Sequence, residues 1–380
     1  MPYALLFAIC LAAEPKSIEG EPKTGQALAV VVEKEHLLYT GQILPTGPSV
    51  APTPSADQVS DVFRQLDKLV PAKQVLKLNV YVHEASVTAL VTKQLVARYG
   101  GDYQPAVSFV QTALPGGGVM VGLDAVGISF PPPSEGMVRR EQPRIKGQPS
   151  PMAIMPPWGV AYISGQAEKG DGTLADATKK TMESLLNTVK FLECQPHDVV
   201  HVKAFLAPMK DSAVAVKEIV AAFGVSVAPP ISLVEWKSTL PIEIEMVVMT
   251  RQRENVPRIE YLTPPGMKAS PVFARITRIN QPGQIFIGGL FGKTGMPSSA
   301  EEVRDVFATL KRVTEAAGSD LQHLAKATYY VADDAVSTQL NVLRPEFYAP
   351  ERPPAASKAM VTGTGQAGRT LTIDMIAVPK

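Results

Sequence analysis

The closing stretch of the chain, RPPAASKAMVTGTGQAGRTLTIDMIAV (Arg352–Val378), decides the fold. A Pro-Pro corner leads into a short strand, and a Gly-rich turn then precedes a second strand predicted from Leu371 to Val378. One carboxylate, Asp374, interrupts the apolar residues of that second strand. The same order of corner, serine, turn and acid occurs twice earlier in the chain, which indicates internal repeats.

Three kinds of landmark recur at nearly one interval. They are a glycine at the end of a strand (LLYTGQ, AYISGQ, IFIGGL), a serine after a proline corner, and an acid in the closing strand: Gly41, Gly165 and Gly289; Ser108, Ser232 and Ser357; Asp124, Glu245 and Asp374. The glycines are each 124 residues apart (165 − 41 and 289 − 165), and the serines are 124 and 125 apart. Independent landmarks in one register indicate three copies of a single module.

Each copy predicts a glycine strand, a helix, a strand, a second helix, the corner and two closing strands. In the first copy, apolar residues at Val59, Val62, Phe63 and Leu66 form one stripe of a helix at 56–69. The central strands are predicted at 75–82, 199–206 and 324–331, and the second helices at 86–99, 211–223 and 336–348. Two helices cover only one face of such a sheet, so its other apolar face needs a partner surface.

Composition excludes several classes of protein. The 380 residues are 45% apolar and 19% charged, which is typical of globular domains, and the length suits more than one core. A formal charge of +1 provides no general field for nucleic acid, so no nucleic-acid partner is expected. Two cysteines and five scattered histidines form neither a disulfide framework nor a readable zinc site. We therefore expect no metal and no cofactor.

The N-terminal apolar run, Ala4–Ala13, is too short to span a membrane. Its length and the Ala-Ala pair before Glu14 favour a signal peptide, which predicts a secreted or periplasmic protein. The run lacks a preceding Lys or Arg. The alternatives are a wrongly assigned start or a tethering strand, and the protein would then be cytoplasmic.

The motifs resemble those of the RidA/YjgF family, the reactive intermediate deaminases, also described as endoribonuclease L-PSP-like. The third copy carries KATYYVADD, RPPAASKAM and IDMIAV, the second carries YISGQA and IEIEMVV, and the diverged first copy keeps YTGQILP. On this basis the chain divides into a leader at 1–23, module 1 at 24–131, a Pro-rich linker at 132–156, module 2 at 157–251 and module 3 at 252–380.

The resemblance implies the fold class. Family members are homotrimers of one chorismate-mutase-like α+β module, with the sheets inward, the helices outward and ligand clefts between neighbours. Three tandem RidA-type modules in one chain therefore predict an intramolecular pseudo-trimer and a monomeric chain. A small-molecule ligand is the expected partner.

The resemblance also implies site residues. The arginine that grips the substrate carboxylate in the deaminases is replaced in all three modules, by Val107, Ile231 and Ala356. The acid position falls on Asp124, Glu245 and Asp374, of which Glu245 is the leading candidate for positioning water. The substrate-binding candidates are the glycine strands and the corner serines: Gly41, Gln42, Gly165, Gln166, Gly289, Ser108, Ser232 and Ser357.

Each of these candidates also has a structural alternative. Glu245 could face solvent or pair with a lysine, and the strand glycines could serve close packing between modules. Two functions therefore stay open. The first is hydrolysis of reactive imines or related small metabolites, and the second is a non-catalytic ligand binder or scaffold that kept the architecture after losing the arginine.

Overall fold

The structure is a computed structural model that describes residues 14–46, 55–129, 136–296 and 298–380. It is a mixed α/β fold. The helices of these residues are α1 (Ser55–Leu69), α2 (Val87–Tyr99), α3 (Leu174–Phe191), α4 (Ser212–Ala222), α5 (Ser299–Ala316) and α6 (Asp334–Leu343). None of them is both long and apolar enough to cross a membrane. The predicted signal sequence at 1–13 lies outside the described residues.

Eighteen strands are found in the described ranges. The first nine are β1 (Lys16–Glu21), β2 (Gln26–Val32), β3 (Leu37–Thr40), β4 (Val75–Val82), β5 (Ala106–Gln111), β6 (Val121–Ile128), β7 (Arg139–Arg140), β8 (Met152–Met155) and β9 (Gly159–Gln166). The others are β10 (Val199–Leu206), β11 (Ile231–Glu235), β12 (Ile242–Thr250), β13 (Ile259–Leu262), β14 (Ile276–Ile279), β15 (Gln284–Phe291), β16 (Leu324–Val331), β17 (Ala355–Met360) and β18 (Leu371–Ala377). The central strands β4, β10 and β16 coincide with the ranges predicted from the sequence.

The apolar stripe of α1 explains why this segment is helical. Val59, Val62, Phe63 and Leu66 recur at three and four residues, and each is at most 1% exposed. Residues at this spacing lie on one face of a helix, so all four reach the sheet beneath.

Helix α6 is shorter than predicted. Its N-terminus is capped by Asp333, whose side chain accepts a hydrogen bond of 2.9 Å from the amide of Val336. The helix ends at Leu343, and Pro345 has no amide to donate the next hydrogen bond of an α-helix. A 3-10 turn at Arg344–Glu346 replaces the last predicted turn.

The strands form one twelve-stranded and one six-stranded sheet. The same four-strand order occurs three times, as β5-β4-β6-β3, β11-β10-β12-β9 and β17-β16-β18-β15. We call these units repeat 1, repeat 2 and repeat 3. In each repeat the closing strand (β6, β12 or β18) lies between the central strand and the glycine strand, antiparallel to both.

Three hairpins connect the repeats in a closed cycle. The β7–β8 hairpin, which precedes repeat 2, pairs with β3 of repeat 1. The β13–β14 hairpin, which precedes repeat 3, pairs with β9 of repeat 2. The β1–β2 hairpin at the start of the chain pairs with β15 of repeat 3. Each hairpin therefore extends the sheet of a neighbouring repeat rather than its own glycine strand.

Two segments predicted to lack structure contribute to these sheets. The segment predicted as a linker at 132–156 contains β7 and β8, and the segment predicted as a leader at 1–23 contains β1. Arg140 of β7 donates hydrogen bonds of 2.5 to 2.7 Å to the carbonyls of Val227, Pro196 and Val199 in repeat 2. The sequence lacked a visible strand pattern here because β7 has only two residues and β8 four.

The helices and sheets bury two kinds of core. Each repeat has its own cluster between its helix pair and one face of its sheet. The opposite faces meet in two clusters that include residues of all three repeats. These shared clusters supply the partner surface that the sequence required.

Candidate functional site

Each glycine strand contacts the corner strand of the next repeat, which produces three equivalent clefts. We call them the first cleft (Gly41 with Ile231), the second cleft (Gly165 with Ala356) and the third cleft (Gly289 with Val107). In the first cleft, the amide of Gln42 donates a 2.9 Å hydrogen bond to the carbonyl of Ile231. The three predicted arginine positions therefore each lie at one cleft.

The first cleft opens into a cavity of about 490 Å³. Its lining includes the glycine strand, the last turn of α1, the loop between β7 and β8, and the corner strand of repeat 2: Gly41, Gln42, Lys68, Arg144, Pro151 and Ile231. A Cβ placed on Gly41 would lie 3.5 Å from the backbone of Ile231, an ordinary contact, so this position would accept a methyl group without displacing a neighbour. The volume is that of a small-molecule site.

The second and third clefts are occupied by side chains of the protein itself. A Cβ on Gly165 would overlap the carboxylate of Glu243, and a Cβ on Gly289 would lie 2.8 Å from Thr372 Oγ1. Glu243 and Thr372 both stand two residues before the acid of the closing strand, where repeat 1 has Gly122. In repeat 1 the side chain of Leu44 takes this space, because its Cδ2 would lie 2.9 Å from a Cβ placed on Gly122.

Glu243 is the unusual carboxylate of the second cleft. Its Oε1 and the hydroxyl of Ser357 are both buried; Ser357 lies close enough to lower the pKa of Glu243, but neither atom forms a hydrogen bond of normal geometry among the described residues. Burial, and then the charge of Glu245, raise the pKa of Glu243 to about 7. A carboxyl group with this pKa exchanges its proton near neutral pH, as a general acid or base must.

The three acids predicted as catalytic lie in the interior and not along the open cavity. Glu245 accepts a 2.5 Å hydrogen bond from Lys326 Nζ of repeat 3. Asp374 accepts one of 2.6 Å from Ser108 of repeat 1 and forms a 2.9 Å ion pair with Lys77 of the same repeat. Each of these two acids is thus neutralised by a lysine of the next repeat.

Asp124 is held within its own repeat. It accepts hydrogen bonds of 2.7 Å from Asn79 and 2.5 Å from the hydroxyl of Tyr81. Burial would raise the pKa of Asp124, but the charge of Lys203 and these hydrogen bonds hold it below its ordinary value. His201 of repeat 2, the counterpart of Lys77, is buried with its pKa lowered to about 4. It is therefore neutral at pH 7.

Together these groups form a central charged layer: Lys77, Lys203, Lys326, Asp124, Glu245, Asp374 and His201. Three lysines balance three carboxylates, and every member is at most 7% exposed. The two apolar clusters shared by all three repeats flank it along the central strands, one through Leu76, Val200 and Ala325 and the other through Tyr81, Phe205 and Tyr330. Buried charges require such pairing because an uncompensated charge costs several kcal/mol.

The other predicted binding residues divide between the clefts and the interior. Gln42 lines the open cavity and donates a 3.0 Å side-chain hydrogen bond to the carbonyl of Leu233. Ser232 lies 3.1 Å from His201 Nε2 in the interior. Gln166 donates to Thr188 inside repeat 2, so it contributes to packing.

The lysines of the layer and Glu243 were not predicted from the sequence. A signal for the lysines was present, because Lys77, His201 and Lys326 occupy one position of otherwise apolar strands at the repeat interval. Glu243 has no comparable signal in the sequence. Its contact with Gly165 joins residues 78 positions apart (243 − 165) and is visible only in the structure.

Known proteins provide a family-level comparison. No protein-family model matches the chain, and no curated protein matches it. Among solved structures, a YjgF-family protein from Neisseria meningitidis is 24% identical with a TM-score of 0.25, and it covers 32% of this chain and 95% of its own. RidA from an Antarctic Psychrobacter is 22% identical with a TM-score of 0.23, covering 25% and 80%. A YjgF/YER057c/UK114-family protein from Mycobacterium tuberculosis is 20% identical with a TM-score of 0.23, covering 25% and 78%.

These matches agree with the family resemblance predicted from the motifs. Each solved structure aligns with about a quarter to a third of this chain.

Proposed function

We propose that the protein is a RidA/YjgF-like small-ligand-binding protein whose ligand occupies the first cleft. The observation that carries this proposal is the cavity of about 490 Å³ beside Gly41 and Ile231. The three acids at the predicted catalytic positions lie in the interior, bound to lysines or to hydrogen-bond donors. Binding without catalysis is therefore better supported at this cleft than hydrolysis.

The test measures the binding of a panel of small organic fragments by ligand-observed NMR. Ile231→Phe extends a side chain into the cavity and should abolish binding of fragments that occupy the first cleft. Ala356→Leu places a larger side chain at the equivalent position of the second cleft and should leave that binding unchanged. Fragments that bind both variants as tightly as the original protein would refute the proposed site.

We further propose that the three repeats form an intramolecular pseudo-trimer. Support comes from the cyclic pairing of the three hairpins and from the two clusters shared by all repeats. A single chain then completes every cleft. The mass in solution should be close to that of one chain, 40.7 kDa, and a mass near three chains would contradict this arrangement.

A second candidate function is hydrolysis of a small imine at the second cleft, which the Glu243 side chain would have to vacate to admit the substrate. It is supported by the buried carboxylate of Glu243 beside Ser357, and the pKa of this carboxylate is raised to about 7. In this proposal Glu243, rather than Glu245, positions the water. The missing arginine at Ala356 argues for a substrate other than a 2-imino acid.

Ammonia release from freshly generated 2-iminopropionate and from a panel of other imines tests this activity. Glu243→Gln should remove any activity, while Glu245→Leu combined with Lys326→Met should retain part of it, because that pair is structural in this proposal. Release no faster than the uncatalysed background for every imine would exclude the hydrolase.

A further inference from the structure

We propose that the first cleft binds an amphipathic organic anion, with its apolar body against Ile231 and its charge held at the mouth by Arg144 and Lys68. This inference rests on the proposed binding function and specifies the chemistry of the ligand.

The inner wall of the cavity cannot hold an anion by itself. The corner strand contributes Ile231 to the lining, and this residue has no hydrogen-bond donor on its side chain and is 5% exposed. The amides of Gly41 and Gln42, which could otherwise bind an anion, already donate to the carbonyls of Pro151 and Ile231. An apolar group at this end loses no hydrogen bond, whereas a charged group would be desolvated without a partner.

The mouth of the cavity carries the cations. Lys68 comes from the last turn of α1, and Arg144 comes from the loop that joins β7 to β8. Neither forms an ion pair with another residue of the described ranges. Glu141 is the acid of this lining, so the charged side chains around the cavity sum to +1. A carboxylate or phosphate at the mouth would form ion pairs with both cations.

The loop that presents Arg144 is anchored at its two ends. Arg140 donates to three carbonyls of repeat 2, and the Ser150 hydroxyl lies 2.7 and 2.6 Å from the carbonyls of Glu141 and Met152, to either of which it can donate. The Ser150 amide also donates to Ala228, at 2.9 Å. A loop held at both ends loses less conformational entropy when a ligand binds. The same loop contributes Ile145, 68% exposed, as a further apolar wall.

The experiment compares two probes of nearly the same shape, indole-3-acetate and its neutral counterpart indole-3-acetamide, by titration calorimetry at low and high salt. We expect the acetate to bind about tenfold more tightly at low salt, as for a charge-assisted hydrogen bond. Added salt should weaken the binding of the acetate and leave the binding of the amide unchanged.

Three variants locate the effect. Arg144→Gln should lower the affinity for the acetate about tenfold and leave the amide unchanged. Lys146→Gln changes a neighbouring exposed lysine that does not line the cavity, so it should alter neither probe. Ile231→Phe should abolish binding of both probes.

The outcomes separate the two proposals. Equal binding of both probes, lost together in Ile231→Phe, would overturn the anion inference and leave the proposed binding site standing. Binding of both probes that persists in Ile231→Phe would overturn the site itself. Binding of neither probe would count against both proposals.

Discussion

Replacing Lys326 by methionine should destabilise the protein by several kcal/mol. Lys326 Nζ lies 2.5 Å from Glu245 Oε2, and the side chains are 7% and 9% exposed. At an effective dielectric constant of about 20, the attraction at this distance is about 7 kcal/mol, and most of it offsets the desolvation of the two charges. Removing one partner of such a pair typically costs about 3–5 kcal/mol, because the other charge is left buried.

We expect the lower end of that range, about 3 kcal/mol, because Lys203 is another cation near Glu245. The measurement is urea unfolding at neutral pH, followed by tryptophan fluorescence and circular dichroism. The slope of the transition should stay constant, since the surface exposed on unfolding is nearly unchanged. A loss below about 1 kcal/mol would show that solvent reaches the layer and would refute the buried-pair reasoning.

A double variant and a surface control complete the test. Replacing Glu245 by leucine together with Lys326→Met removes both charges, and should recover most of the stability lost in the single variant. Arg304→Met breaks an exposed ion pair with Glu346, whose side chains are 50% and 47% exposed, and should leave the urea midpoint unchanged. A double variant as unstable as the single one would mean that packing, not charge, explains the loss.

Two further predictions concern pH and the clefts. Burial raises the pKa of Glu243 from 4.5 to about 7, so the protein should lose roughly 3 kcal/mol of stability as pH rises through that window. Burial lowers the pKa of His201 from 6.5 to about 4, so the protein should lose stability as pH falls from 6.5 toward 4. The two effects oppose each other between pH 4.5 and 6.5. In this range the stability of Glu243→Gln should rise with pH, and the stability of His201→Gln should fall with pH. Parallel curves of unfolding free energy against pH for the two variants would contradict these assignments. Gly165→Ala should cost about 1–3 kcal/mol because its methyl group overlaps Glu243, while Gly41→Ala should change stability by less than about 1 kcal/mol, and equal thermal shifts would contradict the difference in open space.

The order of elements could be predicted from local pattern alone. The stripe of α1 and the ranges of β4, β10 and β16 follow from the periodicity of apolar residues, because one buried face imposes that period wherever the helix or strand lies. These features depend on residues close together in the chain.

The pairing of the hairpins could not be predicted in this way. The strand β14 ends only five residues before β15 begins, which favours a local hairpin, yet β14 pairs with β9 and β15 pairs with β2. Both pairings satisfy the same backbone groups, so the sequence pattern does not distinguish them. The choice depends on how the three repeats pack together.

The closing stretch from Arg352 to Val378 shows the same division. Its corner, turn and alternating strand were determined by the sequence, and so was its place in a threefold repeat. The tertiary structure alone decided that Asp374 pairs with Lys77 and Ser108 from the opposite end of the chain, and that Ala356 borders a filled cleft. The physical reason is that burial and neutralisation of a charge depend on side chains far apart in sequence, whereas strand and turn preferences depend on neighbours.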